Sequence, residues 1–473
     1  MSRAGAVLRK GLSVRSMGAT SWSIALLGLA SGTVLIPLNS TMLAIALPRI
    51  MTEFRVGAGT VSWLVTLYLI TVALVMPISG SLGDRFGHRK MFVIGVTAFA
   101  VTSFVAAIAW SLPMLVVARV LQAASGASMT PNAASILRAI APADRRGGSF
   151  GLLDMITSSS AAIGPFVGGL LVNSFGWRSM FVVAIPIALT AAIAVGAVVP
   201  ADRPQPARAR LDLAGLVLLS AFLLVLLAAL SAGRGEPWAW PGVGLAGIFL
   251  ALFIWRELQI PFPAVNVRLF RVWPFATAVA GVFGATIVLH ATLVMIPILT
   301  QRLMQTSATT SGLVLLGLSG LSALTAPFGG RLSDRIGRRT PAVIGGVCMA
   351  LGLGALAQWT GHTSIALLGV LLGIIGIGFG LSGSARQTSA IESVPLTATG
   401  MAAGMYYTGR YIGGAVGAGL AGGILGTALS TEAVARGFGV LTVVAILVAV
   451  VSLGLRGRGV EGTVVTSAQD HPG

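Results

Sequence analysis

A few ionisable side chains lie inside long apolar segments of this chain, and their positions indicate what chemistry it can perform. Arg119, Asp154, His290 and Arg410 all fall within such segments. A charged group in the middle of a bilayer costs at least about 2.5–3.5 kcal/mol, so each of them should face the protein interior and have a partner. A buried carboxyl or imidazole can exchange a proton near neutral pH, which makes Asp154 and His290 candidates for proton coupling.

These candidates also have simpler interpretations. Asp154 lies near the predicted inner end of its segment, where an acid can reach the membrane interface or pair with an arginine. His290 stands alone among apolar residues, as hydrogen-bonded packing histidines do. Arg410 requires an acid, backbone carbonyl groups or an anionic substrate as its partner. The sequence leaves these alternatives open.

Two asparagines join Arg410 as candidates for the lining of a polar cavity. Counting from the ends of their segments places Asn39 and Arg119 at similar depth, which predicts a hydrogen bond between them. Asn132 follows Pro131, so it either lines the cavity or caps a helix end at a proline break.

Other chemistries lack their sequence signals. The chain has no GxxxxGK[ST] loop for ATP, no cluster of metal ligands and no spacing typical of a catalytic triad. Its one cysteine, Cys348, lies in an apolar run and is expected to be a packing residue. An arginine repeat of the voltage-sensor type and a filter-like loop are also missing. We therefore expect neither an enzyme nor a channel, no metal or other cofactor, and no nucleic acid partner.

The elements that carry these residues are expected to be membrane helices. The 473-residue chain is 55% hydrophobic and 9% charged, whereas roughly a quarter of the residues in soluble domains are charged. Apolar segments of about 20 residues recur, each long enough to cross a hydrocarbon core about 30 Å thick. Because they are continuously apolar rather than alternating, they indicate an all-α membrane protein and not a barrel.

Hydropathy predicts fourteen spans, arranged as two six-helix bundles with an additional pair between them. The predicted parts are a cytoplasmic N-terminal tail (1–21), an N-terminal bundle (22–199), the extra helix pair (211–256), a C-terminal bundle (273–456) and a disordered tail (459–473). The spans are placed at 22–48, 59–83, 90–110, 112–135, 148–172, 178–199, 211–230, 240–256, 273–300, 310–331, 340–359, 363–385, 400–428 and 435–456.

Basic residues predict the orientation in the cell membrane. Most arginines and lysines fall in loops on one side, and the assignment places Arg331, Arg335 and Arg386 among them. Since such loops are cytoplasmic, both termini are expected in the cytoplasm. The net charge of +18 then reflects basic inner loops of a protein whose partner is the lipid bilayer.

An internal repeat divides the chain into two related halves. GSLGDRFGHRK at 80–90 recurs as GRLSDRIGRRT at 330–340, and IGPFVGG at 163–169 recurs as IGGAVGA at 412–418. The two offsets, 250 and 249 residues, are nearly equal. Duplicated halves around a central pathway are typical of secondary carriers that work by alternating access.

The repeated loop is a candidate gate. Its predicted gating residues are Gly80, Asp84, Arg85, Gly87, Arg89, Asp334 and Arg335. Glycines permit a tight reversal, and ion pairs between the acids and arginines could form in one access state and break in the other. The simpler interpretation is a positively charged inner loop with an incidental acid.

A second glycine-rich motif lies in the fifth predicted span. Pro165 removes a backbone donor and can kink the helix, while Gly164, Gly168 and Gly169 let a neighbouring helix approach closely. Ordinary packing of small residues explains the pattern equally well.

With these motifs the chain resembles the major facilitator superfamily, whose signature is the loop at 80–90. More narrowly, it resembles the fourteen-helix drug:proton antiporters of the EmrB/QacA type. The segments that carry this narrower resemblance are LNSTMLAIALP (38–48), RVLQAASG (119–126), AAIGPFVGG (161–169), GWRSMFVVAIP (176–186), RELQIPFPAVNVRLFR (256–271) and GRYIGGAVG (409–417). The resemblance implies the facilitator fold and, for 161–169, a role in favouring exchange over leak.

The resemblance also implies a function, which is export of a lipophilic drug, antibiotic or toxic metabolite in exchange for protons. It implies that Arg119 takes part in proton transfer with an acid in the first helix, and that the carrier is a monomer. Asn39 stands at the position of that acid and cannot titrate. The alternatives are a differently coupled or uncoupled carrier of a neutral or anionic metabolite and, more remotely, a non-transporting receptor or assembly protein.

Overall fold

The computed structural model describes residues 19–141, 146–200, 212–232, 237, 239–260, 267–358, 364–394, 399–426 and 430–455. The regular elements of this part of the chain are helices. They are α1 (Ala19–Phe54), α2 (Ala58–Phe86), α3 (His88–Ala107), α4 (Leu112–Ala127), α5 (Met129–Ile140), α6 (Arg146–Phe175), α7 (Ser179–Val198), α8 (Leu213–Ala232), α9 (Ala239–Gln259), α10 (Trp273–Ile298), α11 (Ala308–Ile336), α12 (Arg339–Leu356), α13 (Ile365–Glu392), α14 (Thr399–Gly426) and α15 (Thr431–Ser452). A short 3-10 helix (Val267–Arg271) precedes α10, and a π-helical turn (Leu299–Leu303) follows it.

The helices coincide with the predicted spans, with α4 and α5 together occupying the fourth. Within the described residues, eleven helical stretches are long and apolar enough to cross a membrane. The apolar stretches Ser159–Phe175 and Ala214–Leu226 are shorter. The all-helical membrane architecture is thus confirmed, while the count of fourteen spans remains a prediction. The predicted tail at 459–473, and most of the one at 1–21, lie outside the described residues.

The fourth predicted span is broken between α4 and α5. Ser111 caps α4, because its Oγ accepts a hydrogen bond from the amide of Met114 at 3.4 Å. α5 begins at Met129, so Pro131 falls in its first turn, where a missing amide hydrogen breaks no helical bond. The break places Asn132 in the first turn of a new helix rather than in the middle of a long one.

The two copies of the repeated loop adopt the same tight turn. Gly87 separates α2 from α3 with φ +98°, and Gly337 separates α11 from α12 with φ +89°. Residues other than glycine rarely adopt these angles, so a glycine at this point of each motif is a backbone requirement. The repeat read from the sequence therefore corresponds to a repeated structural element.

The two halves meet along α6 and α11 and along α2 and α14. Their closest contacts lie at the helix ends remote from the Gly87 and Gly337 turns, the face that the charge distribution predicts to be outside. There Nε2 of Gln301 donates to the carbonyl of Ile45 at 3.1 Å, and Nη2 of Arg302 donates to the carbonyl of Pro48 at 3.0 Å. We call these contacts, together with the crossing of α6 and α11 at Gly169 and Gly312, the outer seam.

The additional pair, α8 and α9, packs together and lies beside both halves, since α8 contacts α2 and α14. The pair is fastened at one end by Arg256, whose Nε and Nη2 donate to Oδ1 of Asp212 at 2.9 and 2.8 Å. Burial raises the pKa of Asp212, but the hydrogen bonds from Arg256 and from the amides of Gly215 and Ala214 outweigh it and hold that pKa below its ordinary value.

Candidate functional site

Arg119 is the centre of a buried polar network in the N-terminal half. The side chain projects from α4 and is 1% exposed. Its Nη1 donates to Oδ1 of Asn39 in α1 and to Oε1 of Gln122, the latter at 2.5 Å. Gln122 in turn donates to Oγ of Ser103 in α3 at 2.7 Å. The contact with Asn39 that residue depth predicted is therefore confirmed.

Within the part of the chain that the structure describes, the positive charge of Arg119 is balanced by dipoles and a ring rather than by an acid. Its guanidinium carbon lies 4.0 Å from the centre of the Tyr68 ring in α2 and 5.9 Å from that of Phe181 in α7. Such cation–π contacts are strongest when desolvated. Nε and Nη2 of Arg119 have no hydrogen-bond partner. An arginine held in this way stays charged and available to an anionic or polar group.

Asn132 ties the start of α5 to the turn between α2 and α3. It is fully buried, and its Oδ1 lies 2.8 Å from Nδ1 of His88. Its Nδ2 donates to the carbonyl of Ser128 at 2.7 Å. The side chain thus fixes the repeated loop against the break in the fourth span, and its predicted exposure to a cavity does not occur in this conformation.

The predicted gate is only partly described. The backbone of α2 includes Asp84 and Arg85, but their side chains lie outside the described part of the structure. In the second copy of the loop, Arg338 donates through Nη1 to Oδ1 of Asp334 at 2.6 Å and forms two bonds to Glu392 at the end of α13. The hydrogen bonds to Glu392 and then to Asp334 raise the pKa of Arg338. Arg335 is exposed, Arg89 donates to the carbonyl of Gly196, and Gly80 lies in α2 facing Pro131.

His290 projects from α10 against the glycine-rich segment of α14. Its Nδ1 lies 3.2 Å from the carbonyl of Thr286, which requires a proton on that nitrogen. A Cβ at Gly414 would lie 2.9 Å from Nδ1 and Cε1 of the ring. With a proton on Nδ1, the Nε2 atom of the neutral imidazole carries the lone pair that can accept a second proton. Asp154 lies in α6, but its side chain falls outside the described part of the structure.

Two arginines lie in the part of the C-terminal bundle that is nearer to the Gly337 turn than to the outer seam. Arg410, in α14, is partly exposed, and its charge acts on His290, Tyr406 and Tyr411. Arg386 was expected in a cytoplasmic loop, but that assignment is wrong because α13 continues to Glu392 and buries Arg386 to 1% exposure. The polar run QTSAIES resembles a loop locally, and the groove that accepts Arg386 is formed by Gly281 on another helix.

The predicted antiporter motif packs partly against α1 of its own half and partly against α11 of the other half. Gly164 faces Thr41, and a Cβ at Gly168 would lie 3.0 Å from the Cα of Met42. A Cβ at Gly169 would lie 2.7 Å from the carbonyl oxygen of Ala308 in α11, and one at Gly312 would lie 2.5 Å from that of Pro165. The backbones of α6 and α11 therefore touch where the two halves meet, which no residue with a side chain permits without displacement.

Comparison with known proteins agrees with this architecture. A family model described as Major Facilitator Superfamily matches residues 29–288 and 278–468. The chain is 31% identical over 389 residues to the multidrug efflux pump LfrA of Mycolicibacterium smegmatis, covering 81% of this chain and 77% of that protein. It is 29% identical over 386 residues to the tetracenomycin C resistance and export protein of Streptomyces glaucescens, covering 80% of this chain and 71% of that protein.

A solved structure resembles the fold. The crystal structure of a D-xylose–proton symporter superposes with a TM-score of 0.66 at 16% identity, covering 91% of this chain and 97% of that one. At this identity the likeness concerns the fold alone. The same fold therefore occurs in a sugar–proton symporter, while the relatives similar in sequence are named as exporters.

Proposed function

Because this chain belongs to the major facilitator superfamily, we propose that it exports a lipophilic small molecule, such as a drug, antibiotic or toxic metabolite, in exchange for protons. In this proposal it is a monomeric fourteen-span carrier of the EmrB/QacA type, with both termini in the cytoplasm. The two halves move against each other so that the central space opens alternately to each side of the cell membrane.

The observation that carries the proposal is the backbone contact of α6 with α11 at Gly169 and Gly312. A carrier that exchanges rather than leaks must close tightly on one side before it opens on the other. Glycines at the crossing let the two halves seal without side chains between them. Two relatives, a multidrug efflux pump and a resistance and export protein, support the outward direction.

The proton is assigned to His290 and Asp154. With Nδ1 bound to the carbonyl of Thr286, Nε2 of His290 accepts the proton, and the resulting imidazolium lies within the field of Arg410. Repulsion between the His290 imidazolium and Arg410 then disfavours the conformation in which both side chains are shielded from water. Arg119 acts in this proposal as a fixed positive charge, because its partner Asn39 cannot take up a proton.

A second candidate is a differently coupled or uncoupled carrier of a neutral or anionic metabolite. The observation that favours it is the hydrogen bond between Arg119 and Asn39. At position 39 an amide stands in place of the carboxylate that the first helix of a proton antiporter would supply. A receptor or assembly protein with this body is the remaining alternative. A transport assay distinguishes this alternative from both carriers, because a receptor or assembly protein would move no solute across a vesicle membrane.

The test is efflux of neutral, anionic and cationic dyes from expressing cells, with and without a protonophore. Asp154→Asn and His290→Gln are compared with the wild type, and Glu432→Gln is the control because Glu432 is an exposed acid at the start of α15. Protonophore-sensitive export that either site variant abolishes and the control retains supports the proposal. Export that persists in both site variants and in the presence of protonophore contradicts proton coupling and favours the second candidate.

A further inference from the structure

Arg386 is a fully buried arginine whose charge has no anionic partner among the residues that the structure describes. Its Nη1 donates to the carbonyl of Gly281 at 3.1 Å, and its aliphatic stem fits against the bare Cα of that glycine. Nε and Nη2 have no hydrogen-bond partner. An isolated buried cation is costly, so a guanidinium retained in this state requires a compensating ligand or a function.

The two unused donors form one edge of the guanidinium group. Elsewhere in this protein the same edge holds a carboxylate. Arg338 donates from Nε and Nη2 to the two oxygens of Glu392 at 3.2 and 2.8 Å. Arg256 uses the same two atoms on Asp212 at 2.9 and 2.8 Å. The free edge of Arg386 therefore has the geometry that accepts a planar oxyanion through two parallel hydrogen bonds.

The acids of this half are already engaged. Between residues 273 and 455 the sequence contains three, which are Asp334, Glu392 and Glu432. The first two bind Arg338, and Glu432 lies 3.8 Å from Arg436. No acid of this half is left for Arg386, so the anion that completes it must come from outside this half of the chain.

Arg386 lies beside an apolar cluster that includes Val279 and Val282, and a few polar groups lie on the helices around it. Oγ of Ser389, one turn further along α13, is buried and without a partner. Tyr406 of α14 donates to the carbonyl of Gly383 at 3.4 Å and lies within electrostatic range of both Arg386 and Arg410. Arg410 is partly exposed, which gives an incoming anion a first positive contact on the side of Tyr406.

We propose that the Nε–Nη2 edge of Arg386 is a binding site for a carboxylate, so that this carrier takes lipophilic organic acids as cargo. This inference rests on the proposed transport function and names its substrate class. Arg410, which is partly exposed, attracts the anion, and the unpartnered hydroxyl of Ser389 supplies a further hydrogen bond. A neutral compound of the same shape leaves the guanidinium edge unpaired and is bound less tightly.

The experiment compares 2-naphthoate with 2-naphthamide, which differ in charge but hardly in shape. Binding to the purified full-length protein in neutral detergent is measured by the shift of its thermal unfolding and by equilibrium dialysis. We expect the wild type to bind naphthoate about tenfold or more tightly than naphthamide. Arg386→Gln should abolish this preference, Arg386→Lys should retain part of it, and Arg331→Gln, at an exposed arginine, should leave it unchanged.

A second measurement needs no ligand. If Arg386 is kept for binding, replacing its unpaired charge by an apolar side chain of similar length should raise the unfolding temperature of the ligand-free protein. Arg386→Met tests this expectation. A lower unfolding temperature in Arg386→Met, together with equal affinity of the wild type for naphthoate and naphthamide, would show that the guanidinium is structural and would overturn the proposal.

Failure of this inference can be told apart from failure of the proposed function. Protonophore-sensitive export of neutral dyes, with no preference for naphthoate, overturns the inference and leaves the export proposal standing. If binding and transport of naphthoate depend on Arg386 but are unaffected by the protonophore, the inference is supported and proton exchange is contradicted. Lipid headgroups also carry oxyanions, so phosphatidylglycerol is added as a competitor. If it displaces naphthoate and naphthoate is not transported into vesicles, the site belongs to a lipid and not to cargo.

Discussion

The guanidinium carbon of Arg119 lies 4.0 Å from the centre of the Tyr68 ring, and the same guanidinium donates to Asn39 on the neighbouring helix. Three helices are therefore joined through one buried cation. A carboxylate at position 39 would release or bind a proton there, whereas an amide keeps the network at a constant charge. The network can hold the helices of the N-terminal half together at every step of a transport cycle.

The first prediction concerns this network. Asn39→Leu removes the acceptor of Arg119 and leaves the buried cation with Gln122 and the Tyr68 ring. Because hydrogen bonds to charged groups contribute about 1.5–3 kcal/mol, we expect a loss of that size in the free energy of unfolding. Thermal unfolding of the purified protein measures it. Ser40→Ala is the control, since its hydroxyl bonds only to the carbonyl of Pro37 in its own helix. Equal stability of the two variants would contradict the role given to Asn39.

The second prediction concerns the outer seam. Gly312→Ala places a methyl group 2.5 Å from the carbonyl of Pro165 and should force α6 and α11 apart. Overpacking of this kind costs about 1–3 kcal/mol, which disfavours the state closed on the outside. In a Cys348→Ser background, a reporter Ala308→Cys should react several-fold faster with an impermeant maleimide added outside.

The control for Gly312→Ala is a glycine substitution elsewhere in α11. A Cβ at Gly320 meets only Leu316 of its own helix, at 3.4 Å, so Gly320→Ala adds a methyl group to α11 away from the seam. Labelling of Ala308→Cys should then proceed at the rate of the parent protein. Identical labelling rates for the two glycine variants would mean that the α6–α11 contact does not control access from outside.

The third prediction concerns the fastening of the extra helix pair. Asp212→Asn removes the carboxylate that Arg256 binds and should lower the free energy of unfolding only modestly, because Arg256 is partly exposed and solvent screens its charge. Since the pKa of Asp212 is below its ordinary value, its stabilisation is complete above a pH of about 3.9 and is lost only as the pH falls through the lowered pKa. Unfolding of the variant and the wild type is compared at pH 5 and pH 8.

The expected result is the same difference in stability at both pH values. A double variant with Arg256→Gln completes the comparison, because removing both partners should cost little more than removing one. A difference that vanishes at pH 5 would mean that Asp212 is protonated there and that burial, rather than Arg256, dominates its titration.

The sequence predicts those parts of this structure that depend on local patterns. Hydropathy locates the helices, and the repeated loop predicts two equivalent turns because a left-handed backbone at Gly87 and Gly337 requires glycine. Counting residues from the ends of two helices suffices to place Asn39 and Arg119 at the same depth, where they form a hydrogen bond. The burial of Arg386 could not be predicted in this way. It depends on Gly281, which lies 105 residues away and leaves a groove of the right width only after the helices have packed.

The last prediction concerns the position of His290. Gly414→Ala would place a Cβ 2.9 Å from Nδ1 and Cε1 of the imidazole, so the ring must move away from α14 and from its hydrogen bond with Thr286. If His290 carries the proton, the protonophore-sensitive part of dye export should fall by at least about tenfold, since a positioned proton-transfer group typically contributes about 10²–10⁴-fold. Gly404→Ala in the same helix, where a Cβ meets nothing within 4 Å, should export normally. Dye efflux from energised vesicles measures both variants, and unchanged export in Gly414→Ala would remove His290 from the proton pathway and leave Asp154 as the candidate.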